Sequence, residues 1–438
     1  MNGGANTLSE ATIDDVRARR VWDSRGRPTV EVELRSGRSV GRAIAPAGAS
    51  RGSGEVVDRR DGGEALGGHD VRLAVAAVNE VIAPALTGHR IGDPSAQLDL
   101  DSLLVRLDGT TDRSRLGGNA LVATSMAALW LAAAVEDVPL WAMLGGTGHV
   151  PLPEIQIIGG GAHAVGTLDL QDLMVVAPGA RSFTEALEWT AEVYLAAGDL
   201  MQRWRRRAGV ADEGGWWPSF DSNEEAIALL AAAIDRAGFR AGEQVGISLD
   251  VAATELFADG RYHLRRDHRS LDPDEMAAQV LQWVREYPVL MVEDPLHESD
   301  IAGTAAFTAE VGPSVLVVAD DLTVTDARRV RACAAAGAAN TLLVKPNQAG
   351  TVSEALDARR AAAAVGWRSI VSARSGETED VTICHLAVGW QSDLLKVGSI
   401  TRGERTAKWN EMLRIEEHLS DQARFAGRSP WSGRALPA

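Results

Sequence analysis

The sequence predicts an α/β protein: a C-terminal (β/α)8-type barrel behind a smaller N-terminal α+β domain. Three observations carry that prediction. The chain has 438 residues, too many for one ordinary core. Its C-terminal two-thirds alternates short apolar runs with helical patterns. Each of those runs ends in a charged residue, and so many charged strand ends converge on one point only if the sheet closes.

The first third has a different grammar. "TVEVELRSGRSVGRAIAP" alternates apolar and polar residues about a Ser-Gly turn and reads as a hairpin. "VRLAVAAVNEVIAPAL" and "GGNALVATSMAALWLAAAVEDVPLWAML" carry apolar residues at helical spacing. Residues 1–145 therefore read as an α+β unit, strands first and helices after. "GGTGHVPLP", Gly145 to Pro153, reads as the linker, and residues 146–438 as the barrel domain.

Six barrel strands are legible: "QVGISLD", "PVLMVED", "SVLVVADD", "NTLLVKP", "RSIVSAR" and "DLLKVGS". After the first interval, their charged ends recur every 22 to 29 residues, which suits one strand, one helix and two short loops. Continuous apolar strands imply a sheet buried on both faces.

The charged strand ends carry the chemistry. Asp250, Glu293 and Asp320 end three successive strands. Singly, such an acid is more often the N-cap of the next helix. Three at neighbouring tips repel one another unless a cation lies between them. Carboxylate oxygens favour a hard ion, Mg²⁺ before Mn²⁺. Lys345 ends the next strand. It is either a lysine snorkelling on the rim or a general base whose pKa falls through burial and nearby metal charge. Lys396 ends "DLLK" in the same way. Arg374 and Ser375, in "SARSGETED", are either an ion pair with Glu377 or Glu379 or a fork of donors for an anion. "GGGAHAVGTLDLQD" brings His163, Gln171 and Asp172 near the first barrel strands. Its glycines match no phosphate-loop pattern, and His163 alone would more often be a packed histidine. "ADEGGWWP" puts Glu213 in a glycine-flanked loop, where it is either a solvated acid or a general acid.

Bulk composition narrows the partners. There are 44 Lys and Arg against 60 Asp and Glu, a formal charge of −16. That argues against a general nucleic-acid or anionic-membrane binder. Two cysteines, Cys333 and Cys384, give no disulfide framework, and "MNGGANTLSEATIDDVRARR" lacks the apolar core of a secretory signal. No unbroken apolar run suggests a membrane span. A cytoplasmic protein is expected.

Together these segments resemble the enolase family. "VWDSRGRPTVEVEL" looks like its opening strand and "GASRGSGE" like its mobile lid. "HAVGTLDLQD", "DEGG", "SLDVAATE", "VEDP", "ADDLTVT", "LLVKPNQAGTVSEA", "RSGETED" and "RIEEHL" follow in family order, from about Val21 to Ala426. The resemblance implies a small α+β domain on an atypical (β/α)8 barrel, in a homodimer or homo-octamer. It implies a Mg²⁺-dependent hydro-lyase, with a lysine base and one or two Mg²⁺ ions acting on a small anionic phosphate or phosphonate. Position by position, Asp250, Glu293 and Asp320 would hold the first Mg²⁺, and Ser50 a second once substrate arrives. Lys345 would take the C2 proton and Glu213 would protonate the leaving C3 hydroxyl. His163 and Asp172 would belong to the same catalytic group. Arg374 and Ser375 would hold the phosphate, with Lys396 and Gln171 at the substrate carboxylate region.

The departures lie at the substrate. Ala373 stands where enolases usually carry His, Arg51 replaces a lid Thr, Asp172 a Glu, and Gly159 an Asn; Trp216 and Trp217 follow "DEGG" in place of small residues. Losing an imidazole at Ala373 opens space, and Arg51 adds a donor fork. Three readings follow. The first is dehydration of 2-phosphoglycerate to phosphoenolpyruvate. The second is a carboxyphosphonoenolpyruvate synthase, dehydrating a larger phosphonoformyl-glycerate in phosphonate biosynthesis. The third, a non-catalytic enolase-like binding protein, would be expected to lose metal ligands or the lysine first, and neither is lost.

Overall fold

A computed structural model describes residues 11–49, 52–164 and 166–434. Ser50 and Arg51 lie outside the described residues.

The hairpin makes up two strands of a three-stranded meander. β1 (Asp15–Trp22) pairs antiparallel with β2 (Pro28–Ser36), and β2 with β3 (Ser39–Ile44). The helix Gly118–Glu136 closes the sheet's inner face. It packs so tightly that a Cβ on Gly41 of β3 would sit 2.2 Å from the Ala127 carbonyl oxygen. This is the one described helix long and apolar enough to cross a membrane, with 83% of its most apolar window buried in the fold. Here it is a core helix. It stops at Asp137, which takes φ +53°, just before Pro139. The apolar pattern beyond resumes as a separate turn, Leu140–Met143.

Eight strands close the barrel, two more than the apolar runs revealed. They are β4 (Leu152–Gly159), β5 (Asp172–Val176), β6 (Gly246–Asp250), β7 (Val289–Glu293), β8 (Leu316–Ala319), β9 (Thr341–Val344), β10 (Arg368–Ser372) and β11 (Leu394–Ser399). From β6 to β11 each neighbour runs parallel, and β11 closes on β4 with Lys396 opposite Glu154. β5 alone is reversed, antiparallel to both β4 and β6. Its first residue, Asp172, therefore sits opposite Asp250, the last residue of β6. An acid that opens a strand reaches the same mouth as acids that close theirs.

Six of the helices that cover the barrel start on their own side-chain caps. Ser182, Ser222, Asp272, Asp300, Asp326 and Thr351 each accept a backbone N–H of the following helix. None of Asp250, Glu293 or Asp320 is among these caps, so all three carboxylates are free to face the barrel mouth.

One irregularity shapes that mouth. The pairing of β11 with β4 slips between Lys396 and Gly398, and Gly398 takes φ +118°. A Cβ there would lie 3.1 Å from the Glu213 carbonyl oxygen and 3.2 Å from Glu213 Oε2. Only glycine permits both the dihedral and the approach.

Candidate active site

The strand ends meet at a small cavity. Ala49, His163, Gln171, Asp172, Glu213, Asp250, Lys345, Ser372, Ala373, Arg374, Ser375 and Lys396 line it. Its volume is about 30 Å³, room for roughly one water.

Two lysines, Lys396 buried and Lys345 half-buried, sit among the acids. Lys396 Nζ donates to Glu293 Oε2 at 2.7 Å and to Asp250 Oδ2 at 3.0 Å, with Asp172 Oδ2 at 3.9 Å. Lys345 Nζ donates to Asp320 Oδ2 at 2.5 Å. Gln171 Nε2 donates to Asp250 Oδ2 at 3.3 Å. Negative charge still exceeds positive. Burial, and then the Asp250 carboxylate, push Glu293 well above its ordinary range. Burial also raises Asp320, but the Lys345 ammonium outweighs it and holds the group below its usual value.

Lys345 departs from one expectation. Burial does pull its pKa down, but the Asp320 carboxylate more than offsets that, and the ammonium is stabilised. In this arrangement the lysine is a cation. Its conversion to a base requires Asp320 to be engaged elsewhere.

The donor set fits a hard divalent ion. Asp250, Glu293 and Asp320 are buried, come from three adjacent strands and offer only oxygen. Asp294 and Asp321 lie beside Asp320, with one oxygen from each of the three within 4.8 Å of the others. Asp294 is already spent: its two oxygens accept the backbone N–H groups of Asp320 at 3.0 Å and Asp321 at 2.8 Å. It aims Asp320 at the mouth.

Across the cavity lies a second acidic group. His163 Nε2 is 3.8 Å from both Asp172 Oδ2 and Glu213 Oε1, and its Nδ1 bonds Asp212 Oδ1 at 2.8 Å. This is no inert packed histidine. Burial opposes its charge, yet Glu213, Asp172 and Asp212 outweigh burial and raise its pKa to about 9. Burial lifts Asp172 to about 7, against the pull of His163. The Gln156 amide holds the shorter Asp172 in place: its Nε2 donates to Asp172, and its Oε1 accepts Gly215 N at 2.8 Å. Trp216 is not in the cavity wall; it stacks on Tyr194 at 4.6 Å, turned to the outside of the loop.

Arg374 pairs with neither Glu377 nor Glu379. Its Nη1 and Nη2 donate to Glu55 at 3.0 and 3.1 Å. Glu55 comes from the segment "GASRGSGE" of the small domain, and Gln348 links it to Asp320: its Nε2 donates to Glu55 at 3.2 Å and to Asp320 at 2.9 Å. Glu377 instead accepts Arg374 N at 3.1 Å and the buried Lys408 ammonium at 2.7 Å. Arg405 donates to the carbonyls of Arg374 at 2.7 Å, Val397 at 2.8 Å and Ser375 at 2.5 Å. Ala373 lines the cavity as a buried methyl.

Sequence reasoning missed Glu55, Asp212, Asp294, Gln348 and Arg405. The first three stand inside the quoted segments "GASRGSGE", "ADEGG" and "VEDP". Their charge in those segments was the available signal. Gln348 stands inside "LLVKPNQAGTVSEA" without a charge to mark it, and Arg405 lies in a helix outside the segments that point to the site.

Comparisons with known proteins follow the same lines. The family profile described as "Enolase, N-terminal domain" matches residues 13–144, and "Enolase, C-terminal TIM barrel domain" matches 147–432. "Enolase 1" of Desulfitobacterium hafniense (strain Y51) is 42% identical over 431 residues, covering 97% of this chain and 98% of that protein. "Enolase" of Acidothermus cellulolyticus is 43% identical over 424 residues, covering 95% and 97%. The chain belongs to the enolase family and is a hydro-lyase of that type.

Proposed function

We propose that the chain dehydrates 2-phosphoglycerate to phosphoenolpyruvate. The observation that carries this is the opposition across one small cavity of Lys345 and Lys396, with three metal-type carboxylates, to Glu213, Asp172 and His163. Cleaving a C–H bond next to a carboxylate creates a dianion, and only concentrated positive charge stabilises it. Membership of the family implies Mg²⁺, and Asp250, Glu293 and Asp320 are the residues that would hold it; Ser50 would be a ligand for a second ion once substrate is bound. When bound, Mg²⁺ neutralises charge developing on the substrate carboxylate.

The chain's own residues supply the rest. Lys345, released from Asp320, accepts the C2 proton. Glu213 gives a proton to the departing C3 hydroxyl, with Asp172 and His163 beside it. Lys396 and Gln171 bind the carboxylate region. Arg374 and Ser375 hold the phosphate, with Arg51 a further donor from the lid. The chain acts in the cytoplasm, with no nucleic-acid or membrane partner, as a homodimer or homo-octamer. Residues 1–145 form the capping domain and residues 146–438 the catalytic barrel.

One observation favours a second reading. Ala373 leaves a methyl on the cavity wall where the family pattern has an imidazole. A larger phosphonoformyl-glycerate, the substrate of a carboxyphosphonoenolpyruvate synthase, would use that space. The test is turnover by the purified chain with Mg²⁺ on 2-phosphoglycerate and on the phosphonoformyl analogue. Efficient turnover of the first alone supports dehydration of 2-phosphoglycerate; turnover of the second alone overturns it.

A further inference from the structure

A turn of the small domain reaches two loops of the barrel mouth at once. Asp23 organises it, its Oδ1 accepting the N–H groups of Arg25 at 2.9 Å and Arg27 at 2.8 Å. Ser24 ties it to the anion loop: its N–H donates to the Glu377 carbonyl at 2.7 Å and its hydroxyl to the Ser375 carbonyl at 3.2 Å. Arg25 points the other way. Its Nε lies 3.4 Å from Asp212 Oδ2, in the loop that carries Glu213.

Asp212 thereby has one partner on each oxygen. Oδ2 faces Arg25, and Oδ1 takes His163 Nδ1 at 2.8 Å. The Asp212 N–H also donates to the His163 carbonyl at 3.4 Å. A carboxylate on Nδ1 fixes the orientation of an imidazole and places its second N–H on Nε2. Here Nε2 faces Asp172 and Glu213 at 3.8 Å each.

We propose that Arg25 is a positioning residue: through Asp212 it holds the His163 ring, as a cation, between Asp172 and Glu213. This rests on the dehydration reading above and deepens it. The groups facing His163 are Asp212, Asp172 and Glu213, with Lys396 3.9 Å beyond Asp172 and Arg405 4.0 Å beyond Glu213. Three carboxylates from two segments, Asp172 on β5 and Asp212 with Glu213 in one loop, outnumber any cation in contact with the ring. A neutral imidazole would leave Asp172 and Glu213 repelling each other. Arg25 is the piece the small domain adds, so the acid side of the site is complete only when that domain is seated.

The test uses the full chain with Mg²⁺ and 2-phosphoglycerate. Wild-type turnover tests the dehydration reading by itself. Asp212→Asn should lower kcat on the order of 10- to 100-fold and Arg25→Gln about 10-fold, as for residues supporting a site, with KM moved less than about 3-fold. Asp212→Asn should shift the alkaline limb of the kcat–pH profile to lower pH, Arg25→Gln should displace it, and Arg25→Lys should restore most of the kcat lost in Arg25→Gln. An active wild type whose variants keep its kcat and pH profile overturns the proposal. So does an equal loss in Arg25→Lys and Arg25→Gln with an unmoved profile, the mark of a merely structural role. If the wild type does not turn over 2-phosphoglycerate, the His163 titration followed by NMR decides separately. A lower midpoint in Asp212→Asn together with a displaced one in Arg25→Gln supports the proposal; an unchanged midpoint in either overturns it.

Discussion

The floor and the rim of the cavity are built differently. The floor is Asp250, Glu293, Asp320, Lys345 and Lys396, each on or next to a barrel strand and each tied to another of the set. The rim is Arg374, Ser375, Ala373 and Asp172, held in part by reaches from the small domain such as Glu55 and Ser24. None of the departures from the enolase pattern named above falls on the floor; Ala373 follows β10, Gly159 closes β4 and Asp172 opens β5. A rim residue can be exchanged while its neighbours supply the missing contact, as Gln156 does for the shortened Asp172. Reaction type is therefore anchored in the floor, and substrate fit is left to the rim.

The largest effect tests the floor. Lys345→Ala should lower kcat by at least ~10²-fold, the low end for a general base, in a steady-state assay. Near-wild-type turnover would remove the lysine from the mechanism and the floor from its assigned role.

The next test concerns the support beneath the rim. Lys408 is buried and binds both Glu377 Oε2 and the Thr378 carbonyl at 2.7 Å. Lys408→Met leaves Glu377 without its cation, and urea unfolding should show a loss of about 3–5 kcal/mol, the usual cost of breaking a buried pair. A loss under about 1 kcal/mol, the range of an exposed pair, would mean that the rim does not rest on this ion pair.

A subtler test uses pH. The folded state holds the His163 proton up to about pH 9, against an ordinary value of 6.5. Proton binding is tighter in the folded chain, so this contribution to stability is complete below pH 6.5 and lost as pH rises towards 9. The unfolding free-energy difference between wild type and His163→Gln should shrink across that window. A constant difference from pH 6 to 9 would show that the ring is not held as a cation.

Ala373→His should have the smallest effect. Restoring an imidazole beside Arg374 should change kcat/KM for 2-phosphoglycerate by less than about 10-fold, the scale of one hydrogen bond. A larger gain would mean that the rim, and not only the floor, limits this reaction.

The floor was also the more legible region. Charged residues at strand ends recur in step, so Asp250, Glu293, Asp320, Lys345 and Lys396 could be named from spacing. β4 and β5 could not, because Glu154 and Gln156 interrupt the apolar run of "LPEIQIIG" and the reversal of β5 breaks the rhythm. The partner of Arg374 was missed for a related reason. Glu377 and Glu379 are near in sequence, whereas Glu55 is 319 residues away and arrives only through the packing of the small domain. The charge state expected for Lys345 was reversed because a pairwise contact at 2.5 Å outweighs burial, and such a contact has no signature in spacing.

Gly398 joins two jobs that are usually separate. It lets the last strand slip into register with the first, and it makes room for Glu213. Any side chain there would press on the acid loop and on the barrel's seam together. In a deep mutational scan the position would score like a catalytic residue, intolerant of every replacement, although it has no group that could touch a substrate. Intolerance at this site measures clearance, and a survey that equates sensitivity with chemistry would assign it a role it does not have.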